Sequence, residues 1–418
     1  MNDVEAHELV TTTARSARVA QRSLARAPRA VKDAALEAMA HSLTEHTEAI
    51  LAANAADLER GRESGMKSGL LDRLALDAGR LSDIAGALRE VAALPDPVGE
   101  IIDGSVMPNG LRVRRVRVPL GVVGMIYEAR PNVTVDTAAL AVKSGNAIIL
   151  RGGSAAQDSN AAIVAALRSA LDAQGLPADL VTSVDAAGRD GARALMRAHG
   201  LVDALVPRGG AGLIRAVVEQ STVPVIETGS GNCHVYVDAS ADLQAAVDII
   251  VNAKTQRVGV CNAAETLLVH IDVAADYLPE AAAALWDKDT VLHADPAAHR
   301  ILTEATEEDW DTEYGSLDLA VRVVENLDEA IDHIRAHTTG HTEAVLAQDV
   351  GVIKDFIAGM DSAAIMVNAS TRFTDGGQLG LGAELGISTQ KLHARGPMGL
   401  TELTTTTWIV EGDGHTRP

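Results

Sequence analysis

Residues 121–154 read GVVGMIYEARPNVTVDTAALAVKSGNAIILRGGS, and this stretch decides the fold. It holds two short apolar runs, 121–127 and 147–150, and the second run leads into a Gly-Gly-Ser turn. Amphipathic stretches that are typical of helices follow at Ser159–Ala173 and Gly188–Ala198. Further apolar runs lie before, between and after them, at 180–184, 201–206, 223–226 and 234–237. Strands that alternate with helices of this length predict βαβ units around a parallel sheet.

The same alternation starts again after Asp238 and predicts a second α/β domain. The strand candidates of this half are Thr266–Ile271, Leu319–Val324, Glu343–Leu346 and Ala363–Val367. The helix candidates are Leu243–Val251, Leu278–Ala284 and Leu327–Arg335.

The two ends of the chain have different patterns. Val4 to Ala93 is rich in Ala and Leu with charges three or four residues apart, which predicts three or four helices. Leu111–Val118 alternates like a half-exposed strand, and Thr401–Val410 is rich in β-branched residues. Neither strand has a hairpin partner next to it in sequence, so we expect Thr404–Val410 to pair across subunits.

Composition excludes several classes of partner. The chain has 418 residues and a formal net charge of −21, which repels a phosphate backbone and an anionic membrane surface. Aromatic residues make up only 2%, too few for base-stacking platforms. We therefore expect partners that are neither nucleic acid nor membrane.

Cysteine content and the amino terminus point to the cytoplasm. Cys233 and Cys261 are too few for a disulfide scaffold and badly spaced for a zinc site. The acidic start, Met1 to Glu8, does not resemble a signal peptide, and no uncharged run approaches the roughly 18 residues of a membrane span. A helix-rich binding or scaffold protein would fit these figures equally well, so the motifs must decide.

Two glycine-rich segments at the ends of predicted strands are candidate phosphate sites. Arg151-Gly152-Gly153-Ser154 and Pro207-Arg208-Gly209-Gly210 each lead towards a helix, where backbone N–H groups can bind a phosphate. Either segment could equally be an ordinary tight turn. Neither matches G-x-G-x-x-G, and G-x-x-x-x-G-K-[ST] is absent, which excludes an ordinary kinase P-loop.

Cys261 is the candidate nucleophile. It lies among small residues, with Arg257 four positions upstream, so its thiol could be partly exposed and ionised. The alternative is a buried structural cysteine, the role that we assign to Cys233.

Other polar segments allow a functional and a structural interpretation. Arg130 and Asn132 follow an apolar strand, where they suit a ligand site or a turn. The segment 368–389 holds too many Gly and polar residues for a core and suits a functional loop. Three histidines spaced by four could share a helical face, but no set of further ligands completes a metal site. They are His333, His337 and His341.

At this point the sequence resembles the γ-glutamyl phosphate reductases, or glutamate-5-semialdehyde dehydrogenases, of proline biosynthesis, within the aldehyde dehydrogenase superfamily. The resemblance covers nearly the whole chain. It rests on five motifs in the same order: 127–134, 149–154, 256–264, 340–343 and 368–389. It implies an α/β fold with two domains, each with an open parallel sheet, and a small β oligomerisation hairpin.

The resemblance also implies a mechanism. Cys261 resembles the family's nucleophile, which attacks the acyl phosphate, releases phosphate and leaves a thioester for reduction. Asn132 resembles the superfamily's oxyanion donor, with Arg130 as competitor. Glu227, 34 residues before Cys261, resembles the general base of hydrolysing members and has an unknown role here.

The implied cofactor is NADP(H), because the matching stretch carries Arg where users of NAD carry an acidic residue. Its expected ligands are Arg151, Gly152, Gly153, Ser154, Arg208, Gly209, Gly210, Gly229 and, at the nicotinamide ribose, Glu313. The acyl-phosphate substrate is expected to contact Arg130, Arg372, Gly376 and Gly377. No metal is expected.

The resemblance sets the expected domains. They are 1–100 with 119–229 for NADP binding, 230–368 for catalysis, and 101–118 with 401–418 as oligomerisation strands. The segment 370–400 is a candidate to return to the NADP-binding domain. The expected assembly is a homodimer or larger, and a glutamate 5-kinase is a candidate partner.

Two alternatives stay open. One is a dehydrogenase of the same superfamily that acts on another small aldehyde, although the Arg-rich site disfavours an apolar substrate. The other is a silent NADP-binding relative, which the intact Cys261 and the glycine-rich loops disfavour.

Overall fold

The computed structural model describes residues 2–128, 130–295 and 303–417. The chain forms two compact units. The first comprises residues 1–227, 380–386 and 398–418, and the second comprises 228–379 and 387–397. Of the 370–400 segment, only residues 380–386 and 398–400 therefore belong to the first unit.

The first unit opens with a helical layer. Its helices are α1 (Asp3–Leu24), α2 (Arg29–Glu45), α3 (Thr47–Glu63), α4 (Ser68–Leu74) and α5 (Ala78–Ala93). The prediction of three or four helices is therefore wrong by at least one. The boundary between α2 and α3 falls at His46, and neither Gly nor Pro marks it in the sequence.

A parallel sheet follows, built from β3 (Val122–Tyr127), β4 (Ala147–Arg151), β5 (Val181–Ser183) and β6 (Ala204–Arg208) in the order β5-β4-β3-β6. Its helices are α6 (Pro131–Lys143), α7 (Gln157–Ala173), α8 (Gly188–Met196) and α9 (Ala211–Gln220). Every residue of β3 is buried, as its apolar sequence predicts. The parallel sheet is confirmed.

The predicted strand at 223–226 is wrong. Only a single bridge joins Val225 to Leu205. Pro224 lacks the N–H that a continuous ladder needs, although its carbonyl accepts from Leu205 N–H at 2.8 Å.

A small antiparallel sheet completes the first unit. Its strands are β1 (Ile101–Val106), β2 (Arg112–Pro119) and β16 (Thr404–Glu411), in the order β1-β2-β16. The expectation that Leu111–Val118 has no hairpin partner is wrong, because β1 pairs with β2. The sequence of β1 does not predict a strand, because it contains Asp103 and Gly104 and both residue types are rare in strands. β16 pairs with β2 of the same chain.

The second unit holds a larger parallel sheet in the order β10-β9-β11-β8-β7-β12-β13. Its strands are β7 (Cys233–Val237), β8 (Ala264–His270), β9 (Val291–Ala294), β10 (Thr303–Glu304), β11 (Asp318–Val324), β12 (Thr342–Leu346) and β13 (Ala364–Val367). Its helices are α10 (Leu243–Thr255), α11 (Ile271–Trp286), α12 (Leu327–His337) and α13 (Val350–Gly359). A short pair, β14 (Ile387–Ser388) and β15 (Gly396–Pro397), is antiparallel. The second α/β domain is confirmed.

None of the helices within the described ranges combines the length and the apolar character that a membrane span requires.

Candidate active site

Cys261 lies in a turn of the second unit, three residues before β8 begins, and is partly exposed. A second segment packs tightly against this turn. A Cβ on Gly231 would stand 1.5 Å from the carbonyl oxygen of Cys261, so only glycine fits there. Sequence reasoning missed Gly231, and its only signal was the Gly-Ser-Gly spacing at 229–231.

The residue after Cys261 brings a cation to the same turn. Thr371 Oγ1 donates to the Asn262 carbonyl at 2.7 Å, and Asn262 Nδ2 donates to the Thr374 carbonyl at 2.8 Å. Arg372 lies between those two threonines, and its Nε donates to Gln256 Oε1 at 2.9 Å. The second unit therefore brings Arg372 and the Cys261 loop together.

Two arginines and one carboxylate act on one another at this turn. Burial lowers the pKa of Arg372, and Asp375 opposes that shift. The like charge of Arg257 lowers the pKa of Arg372 further, while Cys261 raises it. Two guanidinium groups and a thiol are thus within electrostatic reach of one another, which favours an anion at this turn.

Gly376 and Gly377 are the two glycines expected to bind the substrate phosphate, and the structure shows what surrounds each of them. Gly377 N–H donates to Asp375 Oδ1 at 2.9 Å, so the chain's own carboxylate engages it. Gly376 is buried. The sequence could not show this because an Asp two residues before a Gly forms such a turn only in some contexts.

Cys233 is the first residue of β7 and is completely buried, in agreement with its predicted core role. Its Sγ lies 3.2 Å from the Cys261 carbonyl oxygen. Burial raises the pKa of Cys233 well above its usual value, and the negative charge of Glu343 adds to that shift.

The three spaced histidines do not share a helical face. His333 and His337 belong to α12, whereas His341 follows the left-handed Gly340 and directly precedes β12. Burial lowers the pKa of His333 to about 3, and His337 pairs with Asp311 at 2.8 Å. Across the described ranges, no cluster of three or more His, Cys, Asp and Glu side chains is placed to hold a metal ion.

In the first unit, the loop after β4 is tightly held. Arg151 Nε donates to the Gly188 carbonyl at 3.1 Å, and Gly152 N–H donates to Asp185 Oδ1 at 2.6 Å. A Cβ on Gly152 would lie 2.1 Å from Asn160 Nδ2, which requires glycine. Gly153 and Ser154 stay at least partly accessible in this loop.

A second cation lies close to this loop. Burial lowers the pKa of Arg151, Asp185 opposes the shift, and the like charge of Arg189 adds to it. Sequence reasoning missed Arg189 because it lies 38 residues beyond Arg151, at the start of α8.

The loop after β6 differs from the expected phosphate site. Gly210 N–H donates to Glu128 Oε2 at 3.2 Å, and Glu128 also lies against Gly209. The guanidinium of Arg208 lies 3.8 Å from a carboxylate oxygen of Glu384. The chain's own carboxylates therefore occupy the positions that we expected a phosphate to take. Glu384 comes 176 residues after Arg208, a separation at which sequence gives no pairing signal.

Asn132, the predicted oxyanion donor, lies in the first turn of α6 and is exposed. Its Nδ2 donates to Asp136 Oδ2 at 3.2 Å. Burial raises the pKa of Asp136 to about 6, against the opposing effects of this hydrogen bond and of Arg208. Arg130 precedes the helix as its N-cap residue and is partly exposed.

Three further predicted residues are Glu227, Gly229 and Glu313. Glu227 ends the first unit's long segment, and Gly229 belongs to the second unit, where its N–H donates to the Ile387 carbonyl at 2.9 Å. Glu313 is exposed on the turn before β11.

Comparison with known proteins shows the family of this chain. The sequence model of the aldehyde dehydrogenase family matches residues 4–298. A gamma-glutamyl phosphate reductase of Kineococcus radiotolerans is 61% identical over 417 residues, which is 98% of this chain and 96% of the relative.

Two solved structures extend the comparison. The crystal structure of a gamma-glutamyl phosphate reductase from Thermotoga maritima matches with a TM-score of 0.96 and 48% identity, covering 98% of this chain and 100% of that one. An engineered glycolyl-CoA reductase with bound NADP+ shares the fold, with a TM-score of 0.70 and 18% identity over 96% of this chain and 94% of its own. The chain therefore belongs to the aldehyde dehydrogenase family and, within it, to the gamma-glutamyl phosphate reductases.

Proposed function

We propose that this chain reduces L-glutamate 5-phosphate to L-glutamate 5-semialdehyde with NADPH and releases phosphate, as a step of L-proline biosynthesis. The observation that carries the proposal is that Thr371 and Thr374, on either side of Arg372, both bond to Asn262 in the Cys261 loop. A nucleophile beside a cation is what an acyl-phosphate substrate requires.

The chemistry follows from that pairing. The Cys261 thiolate attacks the acyl carbon, the bond from that carbon to the phosphate oxygen breaks, and phosphate leaves with the electron pair. The products of this step are a thioester at Cys261 and inorganic phosphate. Bound NADPH supplies the hydride that reduces the thioester to the aldehyde level, after which the thiolate is released. Arg372, with Arg257 nearby, stabilises the leaving phosphate.

The residues after β4 fit a phosphorylated nicotinamide cofactor. Arg151 and Arg189 place two positive charges close to this loop against the one negative charge of Asp185, and a 2′-phosphate is a dianion. Gly152, Gly153 and Ser154 leave little steric bulk there. An engineered glycolyl-CoA reductase of the same fold binds NADP+.

Several roles remain part of the proposal. We assign the oxyanion contact to Asn132 or Arg130, a ribose contact to Glu313, and a site position of unknown role to Glu227.

The deciding experiment is the reverse reaction, NADP-dependent oxidation of glutamate 5-semialdehyde, with and without phosphate. Phosphate is already anionic at neutral pH and needs mainly a cationic cradle to attack the thioester, whereas water needs a general base. We expect turnover only with phosphate, or with arsenate as a surrogate. Rapid turnover to free glutamate in phosphate-free buffer would instead identify a hydrolytic aldehyde dehydrogenase.

We also infer a cytoplasmic homodimer or larger assembly that uses the small sheet, with a glutamate 5-kinase as candidate partner. Trp408 and Val410 of β16 are 60% and 56% exposed, and Ile101 of β1 is 54% exposed. Exposed apolar side chains on edge strands suit a second copy of the chain. Trp408→Asp combined with Val410→Asp should reduce the mass measured by light scattering, and an unchanged mass would remove the sheet from the interface.

A further inference from the structure

A buried ion pair closes the base of the loop that carries Cys261. Lys254 lies in the last turn of α10, and Glu265 is the second residue of β8. Lys254 Nζ lies 2.5 Å from Glu265 Oε2, and the two side chains are 0% and 1% exposed. Residues 256–263 form the loop between them, so the pair fixes both of its ends.

Stability does not explain why this pair is charged. Two charges in a protein interior lose their hydration, and apolar residues of similar volume often stabilise a fold equally well or better. The core to which β8 contributes Ala264, Leu267 and Val269 consists of apolar residues. The reason for the charges must therefore lie in what the pair contacts.

One side of the pair contacts the turn that follows Glu313. Glu265 Oε1 accepts from Gly315 N–H at 3.3 Å, and Lys254 Nζ lies 5.8 Å from the centroid of the Tyr314 ring. Burial raises the pKa of Glu265 to about 7, opposed by Lys254, and the charge of Glu313 adds to the shift. Glu313 is thus within electrostatic reach of the pair.

The strand that carries Glu265 also borders the nucleophile. Cys233 lies opposite Ala264, the residue before Glu265. The thiol of Cys233 lies 3.2 Å from the Cys261 carbonyl oxygen. The ion pair therefore joins the two ends of the Cys261 loop, and Glu265 also contacts the Glu313–Gly315 turn through Gly315 N–H.

We propose that Lys254 and Glu265 are positioning residues that fix the Cys261 loop and the Glu313–Gly315 turn relative to each other. The pair touches neither substrate nor cofactor. It fixes the position of the nucleophile Cys261 relative to Glu313, the proposed ribose ligand. The role of Glu313 is taken from the proposed function, so this part of the inference rests on that proposal. Small displacements of reacting groups reduce rates steeply. The gain in reaction rate from a fixed geometry therefore offsets the free energy that the two charges lose when they are dehydrated.

Two double variants of the full chain test the proposal. Lys254→Met with Glu265→Met removes both charges and the acceptor for Gly315 N–H. Lys254→Met with Glu265→Gln removes both charges but keeps a carbonyl oxygen for that N–H. The difference between the two variants isolates the Gly315 contact.

We expect the Met/Met variant to unfold at the wild-type Tm or above, while its kcat falls about 10²-fold. Its KM for NADPH should rise about tenfold, because Gly315 N–H loses the acceptor that holds the Glu313–Gly315 turn. The Met/Gln variant should share the loss in kcat but keep KM within about twofold of wild type. If the pair were only structural, kcat and KM would follow Tm.

Alkylation of Cys261 by iodoacetamide gives a readout that does not depend on the substrate. Its rate should change in both variants. A Met/Met variant with wild-type alkylation, kcat and KM would overturn the proposal. If that variant fails to fold, wild-type alkylation and kcat in the Met/Gln variant would overturn it. The wild-type chain could lack reductase activity while both variants still change the alkylation rate of Cys261. That result would support the positioning of the loop and refute the proposed function.

Discussion

Cys233 and Cys261 have similar neighbours in sequence and opposite environments in the fold. Each lies beside an Asn and close to the start of a buried strand. The two strands, β7 and β8, are paired neighbours, with Cys233 opposite Ala264. Cys233 is the first residue of its strand and is buried, whereas Cys261 lies three residues before its strand and is partly exposed.

This difference shows that position relative to the start of a strand decides which thiol can react. Inside the ladder, the Cys233 side chain loses all water and its pKa rises. In the turn, Cys261 keeps access to solvent and lies within reach of the charge on Arg372. Composition around the two residues does not distinguish them.

The strongest test of this comparison is to exchange each sulfur for oxygen. Cys261→Ser should lower kcat about 10³-fold or more, because a hydroxyl without a paired base is a poor nucleophile. Cys233→Ser should keep most of the activity. The measurement is NADPH oxidation with the acyl phosphate generated in situ, and equal losses in the two variants would refute the distinction.

The next test compares the reactivity of the two thiols in the native protein. At pH 8 iodoacetamide should modify Cys261 at least about 10²-fold faster than Cys233, since only thiolates react and burial keeps Cys233 protonated and shielded. The rate at Cys233 should stay low as the pH rises to 9, because its pKa is raised. Peptide mapping by mass spectrometry gives both rates, and denatured protein, in which both thiols react, serves as control.

A third test removes the cation next to Cys261. Arg372→Ala should raise the phosphate concentration that half-saturates semialdehyde oxidation by about 10- to 100-fold, as expected for a lost charged hydrogen bond. Arg372→Lys keeps the charge and loses the Nε contact with Gln256, so its effect should be smaller. Unchanged phosphate saturation in Arg372→Ala would exclude Arg372 from the phosphate site.

The smallest effect is expected for the cofactor preference. The test compares two arginines of the first unit, Arg151 and Arg208, as the earlier tests compare the two cysteines. Arg151→Ala should reduce the preference for NADPH over NADH about fivefold, as expected for a partly exposed charge pair. Arg208 is paired with Glu384, so Arg208→Ala should leave the preference unchanged and lower Tm by a few degrees. The ratio of kcat/KM values for the two cofactors gives the result. If only Arg208→Ala changed the preference for NADPH over NADH, Arg208 and not Arg151 would be the residue that contacts the 2′-phosphate.

Local sequence pattern predicts much of this fold. The apolar runs at 121–127 and 147–150 become β3 and β4, because an uninterrupted short apolar run suits a strand that is buried on both faces. The Cys261 turn is similarly visible, since small residues surround a cysteine directly before such a run.

Contacts between distant segments could not be predicted. Three such contacts depend on how the elements pack. They are the ion pair of Arg208 with Glu384, the hydrogen bond from Gly210 N–H to Glu128, and the proximity of Arg189 to Arg151. Each replaces or supplements a partner that the motif alone suggested. The hairpin strand β1 was missed for a different reason, because an exposed strand needs no apolar pattern.

The pairing of β16 with β2 has a consequence for biosynthesis. Arg114 and Glu411, joined across these strands, are 297 residues apart. At about 5–20 residues per second, translation takes roughly 15–60 s to supply that separation. One edge of β2 therefore waits without its partner until Thr404–Glu411 leaves the ribosome, whereas most of the second unit, 228–379, is continuous and is synthesised before that strand. Emergence of β16 is thus the event that lets the small sheet of the first unit close.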